Sequence, residues 1–98
     1  MTILSTGTVA TDRPARYGKQ LTAHLSRRHG GEWDEDAATG WINFGDGRAV
    51  LTTADGVLTI TVDSPDEETA GRIEEVIERH LVRFATQDEL AVSWARSA

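Results

Sequence analysis

Residues 48–63 constrain this chain more than any other stretch. Between Val57 and Asp63, Leu58, Ile60 and Val62 alternate with Thr59 and Thr61, a period of two that suits a strand buried on one side only. Arg48 to Ala54 has the composition of a partner strand, and Asp55-Gly56 between the two is a dipeptide favoured in two-residue hairpin loops. The pattern predicts an antiparallel hairpin with one dry face and one threonine-bearing face. A dry face needs a second layer, which has to come from amphipathic elements elsewhere in the chain.

Two helices are predicted to supply it. Asp12 is placed to cap the first, with Pro14 inside its opening turn, and the helix should run to about His29 before Gly30-Gly31 stops it. Its apolar side is Tyr17, Leu21 and Leu25, with Arg13, Arg16 and Arg27 on an adjoining face. The second should start with Ser64 as cap, Pro65 as first helical residue and Glu67 completing a capping box. Ala70, Ile73, Ile77, Leu81 and Phe84 form its core stripe, and Glu68/Arg72 and Glu75/Arg79 have the spacing of exposed ion pairs. Further strands are expected at Ser5–Thr11, around Glu32–Glu35, at Trp41–Phe44 and at Leu90–Trp94, with turns at Ala37–Gly40 and Gly45-Asp46-Gly47. The order is β-α-β-β-β-β-α-β. The expected fold class is α+β: a two-layer sandwich in which two helices lie on one face of an antiparallel sheet of about five to six strands. With no repeat, linker or low-complexity tract, residues 1–98 read as a single domain.

Composition narrows the function classes. The absence of cysteine excludes a disulfide framework, a thiolate metal site and a cysteine nucleophile. The opening Met1-Thr2-Ile3-Leu4-Ser5 is too short an apolar run for a signal peptide, and no stretch suits a membrane span, so the expected location is the cytoplasm. Net charge is −6, unevenly placed: residues 1–30 hold five basic side chains against one acidic, the remainder five against fifteen. A basic first helix either serves an anionic ligand or partner or is neutralised by acidic elements beside it. The acidic balance argues against DNA binding, which usually needs a broad basic footprint.

No strand-to-helix glycine loop for a nucleotide and no nucleophile elbow is present, so no catalytic residue and no cofactor is expected. Glu32, Asp34, Glu35 and Asp36 lack the spacing of a calcium loop and read as a solvated acidic turn. The histidines are more informative. His24 lies between the apolar and basic faces of the first helix, and His80 flanks the core stripe of the second. Two helices on one sheet face could bring them together, with Tyr17 and Arg83 near, as a polar pocket that binds a small anion or a metal, or senses pH. Two histidines without a carboxylate at fixed spacing are a poor metal set, and no metal is expected. A second candidate surface is the open sheet face, where Trp41, Thr59 and Thr61 would anchor a protein partner or a second copy in a homodimer.

Two separated segments carry a resemblance. Arg13-Pro14-Ala15-Arg16-Tyr17 with Gln20-Leu21 and His24-Leu25, then His80-Leu81-Val82-Arg83-Phe84-Ala85 with Leu90-Ala91-Val92-Ser93-Trp94, resemble the bacterial domain-of-unknown-function 2218 family over nearly the whole chain. Similar domains form the N-terminal part of some siderophore-interacting flavin reductases, so the resemblance implies an accessory role in siderophore or iron handling. It implies no reductase activity, since the chain has neither room nor motif for flavin and nicotinamide. His24 and His80 match family histidines, whereas Arg27 stands where members often have a further histidine. The architecture is also similar to TATA-binding-protein-like and helix-grip folds. The expectation is a non-catalytic accessory domain binding a small ligand through Tyr17, His24, His80 and Arg83. The alternative is an interaction module using the open sheet face.

Overall fold

A computed structural model describes residues 2–84 and 91–97. The chain forms β1 (Ile3–Ala10), α1 (Pro14–His29), β2 (Gly31–Asp34), β3 (Thr39–Asn43), β4 (Arg48–Ala54), β5 (Val57–Ser64), α2 (Glu67–Phe84) and β6 (Ser93–Ser97). The six strands make one antiparallel sheet in the order β2-β3-β4-β5-β1-β6. The fold is thus α+β in the predicted element order. β1 lies between the end of the meander and β6, so the first and last strands are neighbours in the sheet.

Alternation decides which face is dry. Ser5 and Val9 of β1, Ile42 of β3, Ala49 and Leu51 of β4, and Leu58, Ile60 and Val62 of β5 all point to one side and are buried. Tyr17, Leu21 and Leu25 of α1 and Ile73, Ile77 and Leu81 of α2 join them in one cluster, which places both helices on that face. The opposite face carries Trp41, Val50, Thr59 and Thr61, and no element among the described residues covers it. The Asp55-Gly56 loop closes the β4–β5 hairpin with Ala54 opposite Val57, and only Gly56 is left-handed, at φ 77°.

Both helix starts lie later than predicted. The residue before a proline is pushed out of the helical region, so Arg13 cannot be helical and Asp12 cannot cap. Pro14 opens α1, Arg13 occupies the capping position at φ −129° without a side-chain bond, and its N–H bonds the Thr11 hydroxyl at 3.1 Å. Ser64 is likewise unable to cap α2. It is paired with Ile3 as the last residue of β5, which holds it in extended backbone. The cap passes to Asp66, whose Oδ1 accepts from the Thr69 N–H at 2.7 Å, and the Ser64–Glu67 capping box does not form. β6 is also displaced. Ala91 and Val92 precede it, Trp94 lies within it, and Leu90 falls outside the described residues.

Candidate functional site

A cleft of about 450 Å³ lies between the two helices. Its walls are His24, Leu25, Arg27, Arg28 and His29 from α1, and Val76, Arg79 and His80 from α2. Helical spacing explains the grouping: positions three and four beyond His24 are Arg27 and Arg28, and the position four before His80 is Val76. Leu25 is buried and Val76 half-buried, giving the cleft an apolar floor under a charged rim.

The ring centroids of His24 and His80 are 4.9 Å apart, with planes inclined at 50°. His80 Nδ1 lies 2.7 Å from the Val76 carbonyl, which can only accept, so Nδ1 carries the proton and Nε2 is left for other partners. His29 packs against Phe44 with centroids 4.8 Å apart and also borders a smaller recess with Asp46, Arg72, Ile73 and Val76. Arg72 pairs with Asp46 there, and Arg79 donates to Glu75 Oε1 at 2.6 Å. Arg27 and Arg28 form no salt bridge among the described residues. Among the described residues no carboxylate lines the cleft, although the chain has sixteen acidic residues against ten Lys and Arg.

A second cleft, of about 480 Å³, lies between α2 and β6. Its polar groups satisfy one another. Glu74 accepts from Arg96 at 2.8 and 3.1 Å and from the Ser5 hydroxyl at 2.5 Å, and Glu78 accepts from Trp94 Nε1 at 3.0 Å. Burial works against the charge on Glu74 more than any single partner works for it. The bonds from Arg96 and Ser5 and the charge of Arg96 together outweigh burial, and the carboxyl sits below its ordinary value. This arrangement clasps β6 to the sheet and leaves little unspent for a ligand.

The predicted site residues separate into groups. His24 and His80 meet in the helix cleft. Tyr17 lies about two turns before His24, is 6 % exposed and belongs to the hydrophobic core, outside the cleft walls. Arg83 is exposed and does not line the cleft either. Trp41 is half-buried on the open sheet face with the Arg48 guanidinium 5.1 Å from its ring centroid. Thr61 shares a cross-strand row with Trp41 through Val50, while Thr59 lies in the next row between Thr52 and Thr8. Leu25, Arg27, Arg28, His29, Val76 and Arg79 line the cleft without having been predicted to, although their spacing from the two histidines was available. Part of the basic helix is neutralised as anticipated, since Lys19 pairs with Glu35 of the β2–β3 turn.

Among the described residues, no group of three or more His, Asp or Glu side chains is placed to hold a metal ion, and no helix is long and apolar enough to cross a membrane.

An open antiparallel sheet carrying two helices on one face, with a histidine-arginine cleft between them, defines a two-layer α+β protein. Residues 6–95 match the family described as "Uncharacterized protein conserved in bacteria (DUF2218)", and the chain belongs to that family. It is similar to the NMR structure of PA4090 from Pseudomonas aeruginosa, at 29% identity and a TM-score of 0.75 over 94% of each chain. It also shares its fold with the de novo designed protein Foldit4, at 13% identity and a TM-score of 0.59 over 100% of this chain and 98% of that one. No curated protein matches the chain.

Proposed function

We propose that this chain is a single, non-catalytic accessory domain of the cytoplasm that binds a small ligand in the α1–α2 cleft and serves siderophore and iron handling. The observation that carries the reading is the juxtaposition of His24 and His80, 4.9 Å apart across two helices, in a concave site with an apolar floor. A recess of this volume with a few convergent polar groups is the usual form of a small-molecule site. The siderophore context comes from the family resemblance, and ferric siderophore complexes are the ligand class it suggests.

The test is calorimetric titration of the protein with gallium-loaded catecholate and hydroxamate siderophores, gallium replacing ferric iron. Saturable binding that is lost in His24→Ala and His80→Ala, with the fold retained, supports the reading. No binding of either siderophore type contradicts it.

The alternative, an interaction module, is favoured by one observation on the open sheet face. Val50 is 39 % exposed, flanked by Trp41 and Thr61, and Leu4 is 43 % exposed. Pairing of two copies through this face would be abolished by Val50→Glu and left intact by the histidine variants. Sedimentation of the three proteins separates the readings.

A further inference from the structure

We infer that the α1–α2 cleft selects ligands bearing multiply charged oxyanions, carboxylate or phosphate, held between Arg27 and Arg28 of α1 and the Arg79–His80 edge of α2. The inference rests on the cleft being a ligand site and assigns that site its chemistry. Three arginines and all three histidines of the chain line one recess, no carboxylate among the described residues lines it, and the molecule as a whole is acidic. A local field of one sign within a concave wall is concentrated by the low-dielectric floor beneath it, here Leu25 and Val76.

The individual groups differ in how far they are committed. Arg79 is braced by Glu75, which holds its guanidinium at the rim and offsets part of its charge. Arg72, in the adjoining recess, is matched by Asp46. Arg27 and Arg28 have no carboxylate partner among the described residues, so the forked donors of both remain for an incoming anion. They complement the C-terminal end of α1, but a helix terminus is worth only a fraction of a unit charge and cannot neutralise Arg27, Arg28 and His29 together. The bond from His80 Nδ1 to the Val76 carbonyl orients the ring, and in its protonated form Nε2–H adds a donor. Three positively charged arginines repel a bare metal cation.

The experiment is an amide NMR titration of the full chain with citrate and, separately, with pyrophosphate, at low and high sodium chloride. The expected result is saturable shifts at Arg27, Arg28, His29, Arg79 and His80, weakened by salt. The tighter of the two anions identifies the head group. Arg27→Gln combined with Arg28→Gln should weaken binding by roughly tenfold or more, with sheet amides unmoved. Glu75→Gln, which frees Arg79, should tighten it. The inference is overturned if neither anion saturates, if shifts centre on Arg13 and Arg16 instead, or if the double variant binds as tightly as the parent. Gallium siderophores binding a protein that ignores both anions would leave the cleft as a ligand site and remove its charge selection. Failure of all these probes would remove both readings.

Discussion

Thr22 is buried against Gly40, and its hydroxyl has no hydrogen-bond partner among the described residues. A buried, unsatisfied hydroxyl forfeits its hydration without return, so Thr22→Val, of the same shape, should raise stability by about 1 kcal/mol in urea denaturation. Gly18 makes the opposite case. A glycine inside a helix reads from sequence only as a weak position, for which alanine would be worth ~1 kcal/mol. Here a Cβ would stand 2.8 Å from the Trp33 ring, because the six-membered ring of the tryptophan of β2 packs against the helix at this position. Gly18→Ala should therefore destabilise the fold by about 1–2 kcal/mol, as overpacked cores do. The partner is fifteen positions along the chain, and no local pattern announces it. Ala38, at φ 54° in the β2–β3 turn, is a third such position. Its replacement by glycine should stabilise by roughly 0.5–1 kcal/mol, because a left-handed residue with a Cβ is strained.

Elements were legible where their signal is local. The alternation in β5, the apolar stripe of α2 from Ala70 to Leu81 and the glycines after α1 are short-range patterns, and all three appear in the structure, while the side chain of Phe84 lies outside what is described. The caps were misread because two local rules competed and the sheet decided: Ser64 has the side chain of a cap but the backbone of a strand. Replacing Asp66 with alanine should lower the thermal midpoint, and replacing it with asparagine should largely preserve it, since either side chain accepts from Thr69 but alanine cannot. The attachment of β6 depends on contacts distant in sequence. Glu74 joins Ser5 of β1 to Arg96 of β6, and Trp94 lies across Gly7, where a Cβ would meet its ring at 2.7 Å. Because the carboxyl of Glu74 is depressed in the folded chain, its contribution is present above the ordinary glutamate value of about 4.3 and is lost as pH falls through the folded value. Glu74→Gln should cost about 1–2 kcal/mol near neutrality, moderated by solvent screening at the half-open Arg96, and the difference from the parent should shrink in acid. Denaturant midpoints across that range check both parts.

For the whole molecule, sequence order and amphipathicity sufficed for the layers, while the site needed the third dimension. That His24 and His80 sit on compatible faces was readable, because each is displaced from a known core stripe. Tyr17 was readable in the same way, on the apolar side of α1 with Leu21 and Leu25, and that placement excludes it from the polar pocket to which it was also assigned. The cleft emerges only when α1 and α2 are laid on the same sheet face, which brings Arg27 and Arg28 opposite Arg79 and gives an acidic chain a basic recess. The open sheet face and the helix cleft are on opposite sides of the molecule, so a protein partner on one would leave a ligand in the other undisturbed. Binding in the helix cleft is tested most directly by an amide NMR titration with a gallium-loaded siderophore, followed residue by residue. The expected result is saturable shifts clustered on His24, Arg27, Arg28, Val76 and His80 with the strands silent. Shifts confined to Trp41, Val50, Thr59 and Thr61, or none at all, would contradict it.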